Sequence, residues 1–339
     1  MAKHKTLAFF IPHLGCPHQC SFCDQRTISS TAHAPTPEEA EEIIKGAYDY
    51  ITAPEDRAET EIAFFGGSFT AIDREYMVSL LKTAAKYLKT PERDGFCGIR
   101  ISTRPDCIDE EILMLLKGFG VKAIELGAQS MSDNVLAANR RGHTADDVKN
   151  ASRLIKSHGF ELGLQMMVGL YKSTPEDEIH TMNGIIQLAP KTVRIYPVAV
   201  LKGTQLAELY DSGEYKLYPF DECVRLCAEL MKGFTENGIK VIRLGLHAEE
   251  SVESKAVAGF YHPALGELVR SEWVKELIET ELSKNGSADC KASNRNMSIL
   301  VGHKRSNRLY FADKSVTFTR DDSLPDDRIF INDMGYIIQ

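Results

Sequence analysis

"TLAFFIPHLGCPHQCSFCDQRTIS", Thr6 to Ser29, is the stretch on which the reading of this chain turns. It begins as a strand: Thr6–Ile11 is a brief apolar run of the kind buried on both faces of a parallel sheet. Pro12 ends that run, and the Gly, Pro, His and Gln that follow compose a loop rather than a packed face. Within the loop stand Cys16, Cys20 and Cys23, spaced Cys-x3-Cys-x2-Cys. Thiolates are soft ligands that suit zinc, copper(I) or iron–sulfur clusters. A structural zinc takes four closed positions, and His13 or His18 could supply the fourth. A [4Fe–4S] cluster on three thiolates instead leaves one iron open to a substrate or cofactor.

Outward from this stretch the same rhythm repeats. Short apolar runs recur at Glu61–Gly67, Gly98–Pro105, Ala123–Ser130, Glu161–Leu170, Thr192–Val198 and Lys240–His247. Between them lie segments with apolar residues at three- and four-residue spacing, such as Pro35–Ile51, which opens with prolines and acidic residues as helices do. An open doubly wound sheet or a βα barrel would satisfy the pattern. The number of repeats, and polar residues at strand ends, favour a partial or full TIM-like (β/α) barrel over residues 1–250, with its active face at the C-terminal strand ends. After residue 250 the rhythm changes. A helical segment ending in Asn285-Gly286 precedes "NMSILVG", "RLYFAD", "SVTFTR" and "DRIFINDMGYIIQ", which suggest a small α+β extension over 251–339 that contacts substrate or RNA.

Composition narrows the function classes. A 43% hydrophobic content over 339 residues supports a large core. The net charge of -8 excludes a general polycation, so nucleic acid would need a local basic face. The charged start resembles a secretion signal, but Pro12 and His13 cut its apolar segment short. No run approaches bilayer length. A cytoplasmic protein with reduced thiols and no membrane partner is expected, not a disulfide framework.

The Cys-x3-Cys-x2-Cys spacing, with Phe22 directly before the last cysteine and at the end of a first strand, resembles the signature of the radical S-adenosylmethionine (SAM) enzymes. Over Thr6–Leu246 the chain also resembles the catalytic subunit of the Elongator complex. That likeness is carried by "STRPD" (Ser102–Asp106), "IELGAQS" (Ile124–Ser130), "NRRGHT" (Asn139–Thr144) and Tyr196–Pro219. A more distant resemblance, through "GAQS" and "NR", is to the oxygen-independent coproporphyrinogen dehydrogenases. The resemblance implies a [4Fe–4S] cluster on Cys16, Cys20 and Cys23, with S-adenosyl-L-methionine on its open iron. It further implies reductive cleavage to a 5′-deoxyadenosyl radical, fed by a one-electron reductant of flavodoxin or ferredoxin type. The radical would take hydrogen from an RNA substrate, in tRNA modification; alternatives are oxidation of a small molecule such as a tetrapyrrole, or a non-catalytic zinc-binding module. The stretch after the barrel is too short for Elongator's acetyltransferase-like domain. By the same resemblance Gly66 and Gly67 meet the methionyl amino group and Ser102 lies near the adenosyl moiety. Gln129 and Arg140 surround the carboxylate and ribose, with Arg141 able to take the arginine's place. Gln165 has two readings, a ribose contact or a core hydrogen bond to a neighbouring strand.

Further polar residues fall at strand ends: Arg104, Glu125, Arg194, Tyr196, Arg243 and His247. Arg194 and Arg243 suit an anion, or else an ion pair with Glu125. Cys223 and Cys227, four apart on a helix, read as core residues; an auxiliary cluster with Cys97, Cys107 or Cys290 is the alternative. Cys290–Ala312 contains no acidic residue but holds Lys291, Arg295, Lys304, Arg305, Arg308, His303 and Tyr310. Such a run could contact phosphates and stack a base, or be an ordinary basic surface.

Overall fold

The computed structural model describes residues 5–17, 19–29, 31, 33–247 and 250–338. The strands, in chain order, are β1 (Lys5–Ile11), β2 (Thr60–Gly66), β3 (Ile99–Thr103), β4 (Val121–Gln129), β5 (Glu161–Val168), β6 (Thr192–Pro197), the short β7 (Ala199–Leu201) and β8 (Lys240–Leu244). Beyond them come β9 (Ala256–Gly259), β10 (Ala288–Ala292), β11 (Val316–Arg320), β12 (Arg328–Ile331) and β13 (Met334–Ile337). Seven strands form one parallel sheet in the order β1-β2-β3-β4-β5-β6-β8. The sheet curls into a half-barrel. β1 and β8 are its two edges and do not pair with each other. Of the two barrel forms expected, the partial one is realised.

Side-chain alternation sets the two faces of each strand. On β2 and β3 the outward residues Ile62, Phe64, Ile99 and Ile101 are fully buried beneath the helices. On β6 Val193 and Ile195 are buried outward, while Thr192, Arg194 and Tyr196 face the hollow of the half-barrel. The covering helices start where the sequence provides caps. Thr36, Thr144 and Thr174 each accept from the backbone three residues on, and Glu39, Asp147 and Asp177 return the bond. Such capping boxes contribute about 1 kcal/mol each.

The region after β8 has a sheet of its own, in the order β11-β10-β12-β13, but not a core of its own. Ala288, Cys290, Ile329 and Ile331 join the same apolar cluster as the barrel helices, through the helix Leu265–Asn285 and its buried Trp273. "NMSILVG" and "RLYFAD" form the short helices Met297–Val301 and Ser306–Tyr310, and "SVTFTR" forms β11. "DRIFINDMGYIIQ" forms the β12–β13 hairpin, turned by Asn332 and Asp333, both at positive φ as a tight hairpin turn requires. Among the described residues no helix is long and apolar enough to cross a membrane.

Candidate active site

The three cysteines lie in the loop between β1 and the short helix Gln25–Ser29, at the C-terminal rim of the sheet. His13, at φ 60, folds the loop back. Its backbone N–H donates to Gln25 Oε1 at 2.5 Å, and its Nε2 accepts from the Gln25 N–H at 3.0 Å. Burial lowers its pKa, as an accepting, neutral ring requires. His13 is thus engaged in shaping the loop. His18, the other candidate zinc ligand, lies outside the described residues. The loop's middle rests on Asn139, which is fully buried: Ser21 bonds to its backbone and its side chain, and Asn139 Nδ2 donates onward to the Tyr171 carbonyl at 2.9 Å. Cys20 and Phe22 pack into a small apolar cluster with Val135, Leu170, Tyr171 and Tyr215.

Cys16, Cys20 and Cys23 open onto the hollow of the half-barrel, a cavity of about 1260 Å³. Gly66, Gly67, Ser102, Gln129 and Gln165 line the same cavity. Arg140 does not: it is exposed, with φ 53, and the left-handed turn sends the chain's next residue inward instead. Arg141 is the arginine that reaches the site, with Nη1 3.0 Å from Cys20 Sγ and Nη2 donating to the Gly127 carbonyl at 2.8 Å.

The glycine pair serves a contact the sequence did not reveal. A Cβ on Gly67 would stand 1.8 Å from the Leu14 carbonyl oxygen, and Gly66, at φ +114, would crowd Ile11. Both glycines therefore let the cysteine loop lie directly on the end of β2. The Gly66 carbonyl accepts from Gln25 Nε2 at 3.2 Å.

With this geometry in hand, the comparisons with known proteins are decisive. Residues 10–184 match the Radical SAM superfamily, and residues 190–275 match the Radical_SAM C-terminal domain. The chain belongs to the radical SAM superfamily. It is 31% identical over 228 residues to the tRNA uridine(34) acetyltransferase of Methanocaldococcus jannaschii, covering 62% of this chain and 41% of that protein. To Elongator complex protein 3 of Homo sapiens it is 28% identical over 262 residues, 65% of this chain and 47% of the relative. It thus spans less than half the length of either. An uncharacterized protein of M. jannaschii is 27% identical over 84% of this chain and 88% of its own length. In fold, the chain resembles the archaeal Elp3 of Methanocaldococcus infernus, at a TM-score of 0.62 and 22% identity, covering 83% of this chain and 63% of that one.

Membership makes the protein a radical SAM enzyme, not a zinc-binding module, and implies SAM and an iron–sulfur cluster. Among the described residues no three or more His, Cys, Asp or Glu side chains stand gathered as a metal site, yet the three thiols open onto one cavity and their donor chemistry suits an iron–sulfur cluster. Burial, then the neighbouring Cys20 and Cys16, push Cys23 up to about 12, and burial and Cys20 raise Cys16. Ligation by iron would remove those protons. Among the described residues Arg141 Nε and Gln129 Oε1 are buried without a hydrogen-bond partner, a donor and an acceptor at the wall of one cavity. A zwitterionic ligand such as SAM offers groups complementary to both. Gln129 stands at positive φ after a register shift between Gly127 and Gln129.

Below the rim a belt of charge crosses the sheet. Arg100 Nε bonds Glu61 at 2.6 Å and its Nη1 meets Glu125 at 3.4 Å; Arg194 grips Glu125 with two bonds of 2.7 and 3.0 Å. Gln165 Nε2 donates to Glu125 at 3.0 Å, so the cross-strand bond is present while the residue still lines the cavity. Arg194 also lies over the Phe65 ring. Of the two readings for Arg194, the ion pair is the one formed.

The other cysteines fall on separate elements. Cys223 and Cys227 face each other at 4.0 Å inside the helix packing. Cys290 is buried in β10, Cys97 is half-buried before β3, and Cys107 follows β3 where its charge is felt at Cys16. Part of the basic run after Cys290 has acidic partners: Lys291 pairs with the nearby Asp289 at 2.8 Å, His303 lies 3.6 Å from Glu267, and Tyr310 donates to Glu279 at 2.6 Å, while among the described residues Lys304, Arg305 and Arg308 form no ion pair. Arg295 reaches the cavity wall and lies 3.9 Å from Asp326.

The Asn139–Thr144 motif contributes more to the site than its arginines. Asn139 anchors the cysteine loop, and His143 Nε2 bonds the Ala128 carbonyl at 3.2 Å, with burial pushing that ring down to about 4.

Proposed function

We propose that this enzyme modifies RNA, with tRNA as substrate, holding a [4Fe–4S] cluster on Cys16, Cys20 and Cys23 and SAM against Gln129, Arg141, Ser102 and the Gly66–Gly67 strand end. The observation that carries the reading is the loop of three thiols, braced by Arg141, at the mouth of a half-barrel whose hollow is cationic. Six arginines and two lysines line that hollow against two glutamates, Glu61 and Glu161, in a chain whose net charge is -8. Relatives named as acting on tRNA support the substrate class. Held there by Cys16, Cys20 and Cys23, such a cluster would supply the single electron for reductive cleavage of bound SAM.

The chain's own residues have defined tasks in this scheme. Arg141 binds negative charge beside Cys20 and fixes the loop to Gly127. Asn139 and Gln25 hold the loop's shape. Phe22, Leu170 and Tyr171 exclude water from its outer side. The hollow positions the substrate on the open side, between β1 and β8. The electron donor is an external flavodoxin- or ferredoxin-type protein, and the compartment is the cytoplasm.

Anaerobic reconstitution with iron and sulfide, followed by dithionite and SAM, tests the reading. The expected result is a brown protein that forms 5′-deoxyadenosine, faster with a tRNA pool. Cys20→Ala is expected to lose the colour and the product while keeping its circular dichroism. Product formation by that variant, or no response to any tRNA, overturns the corresponding half of the proposal.

A further inference from the structure

The charge belt is not balanced. Two carboxylates, Glu61 and Glu125, stand against three guanidiniums, Arg100, Arg194 and Arg243. Arg194 and Arg243 are register partners on β6 and β8, so two cations sit side by side. Glu125 takes up Arg194 with both oxygens. Arg243 has no such partner: among the described residues its bond is from Nε to the Gly245 carbonyl at 2.9 Å. It is half-buried, lines the cavity, and has the Tyr196 phenol as neighbour. A guanidinium held beside another one, half out of water and without a counter-ion, is costly unless an anion joins it. Its position adds to this. The groups that fit SAM stand on β2, β3 and β4 and the loops above them, whereas Arg243 and Tyr196 are on the far wall, next to the open edge.

We infer that Arg243, with Tyr196 beside it, is the seat of a phosphate group carried by the substrate. A tetrahedral oxyanion has enough oxygens to accept from both Nη groups of Arg243 and from the Tyr196 hydroxyl together, and planar guanidinium forks suit phosphate. That the phosphate belongs to a polynucleotide rests on the function proposed above; the seat itself does not. A phosphate fixed there places the attached nucleoside in the hollow and makes Arg243 a specificity-determining residue for the open side of the site.

The test uses full-length protein labelled with ¹⁵N-arginine, the Arg243 side-chain signals being those lost in Arg243→Gln. Inorganic phosphate is expected to shift the Arg243 signals saturably and more than those of Arg194, whereas sodium chloride at equal ionic strength is expected to leave the Arg243 signals unshifted. Arg243→Gln is expected to weaken phosphate binding about tenfold or more, and Arg243→Lys, which keeps the charge, to weaken it less. No phosphate shift at Arg243, or an equal shift with chloride, overturns the seat. A short single-stranded oligoribonucleotide and a nucleoside 5′-monophosphate then compete for the same signals. Competition by the oligonucleotide supports a polynucleotide source, and competition by the mononucleotide alone points to a free nucleotide. If phosphate binds and no nucleotide competes, the seat stands and the RNA reading falls. If the oligonucleotide binds without moving Arg243, the seat falls and the RNA reading stands.

Discussion

The floor and the rim of the half-barrel treat their polar groups in opposite ways. Across the floor, Glu61, Arg100, Glu125, Gln165 and Arg194 bond to one another, and only Arg243 at the edge is left over. At the rim, Arg141 Nε and Gln129 Oε1 are buried with no partner among the described residues, and three thiols open onto the same cavity. A satisfied network fixes the shape of a fold, while an unsatisfied one marks where something else is meant to arrive. The contrast separates residues that hold the sheet from residues that await a ligand, although both kinds line one cavity.

The sharpest way to break the contrast is to remove the floor's central carboxylate. Glu125→Gln leaves Arg194 and Arg100 without their shared charge and is expected to destabilise the fold by about 3–5 kcal/mol, read by urea unfolding. Glu125→Leu combined with Arg194→Met is expected to recover much of that loss, since the pair rather than either charge is what the floor tolerates.

A second expected effect lies outside both regions and calibrates them. Glu178 is 2% exposed; its Oε1 accepts from the Gly169 N–H and from Ser173, and its Oε2 has no partner. Burial raises its pKa from 4.5 to about 7. Below about 4.5 the carboxyl is protonated in both states and its contribution to stability is full. Between about 4.5 and 7 the unfolded chain ionises first, so stability falls as pH rises, by up to roughly 3 kcal/mol. Above 7 the curve is flat. Unfolding free energies across that window are expected to lose this slope in Glu178→Gln.

Smaller effects test the rim. Gly67→Ala forces a methyl group into the Leu14 carbonyl and is expected to cost about 1–3 kcal/mol, with loss of iron uptake as the loop lifts from β2. Arg141→Gln is expected to lower SAM affinity about tenfold or more, by isothermal titration of reconstituted protein. Arg140→Gln is expected to change it less than about twofold.

Much of this was legible beforehand. The seven strands of the main sheet announce themselves because each is a short apolar run, and the cysteine spacing is specific in itself. β10 escaped notice because "ADCKA" buries only Ala288, Cys290 and Ala292, too little apolar bulk to register as a strand. The choice between Arg140 and Arg141 depends on one backbone angle, which no composition records. The glycine pair signals a close approach in the sequence, but that the chain's own Leu14 carbonyl lies against Gly67 is visible only in the fold. Glu267, Glu279 and Asp326, which meet His303, Tyr310 and Arg295 of the basic run after Cys290, are remote in sequence, so only part of that run's surroundings is legible locally.

One clasp joins the beginning of the chain to a much later part. Lys255 Nζ bonds Thr27 Oγ1 at 2.7 Å and Ser251 bonds the Thr27 carbonyl at 2.8 Å, joining the short helix after β1 to the one that follows β8. Those partners are 228 and 224 residues apart. During synthesis the thiol loop emerges first yet gains these bonds only once residue 255 has left the ribosome. The shape of the thiol loop is therefore completed by contacts of high sequence separation, which form late in folding because a long loop must close first.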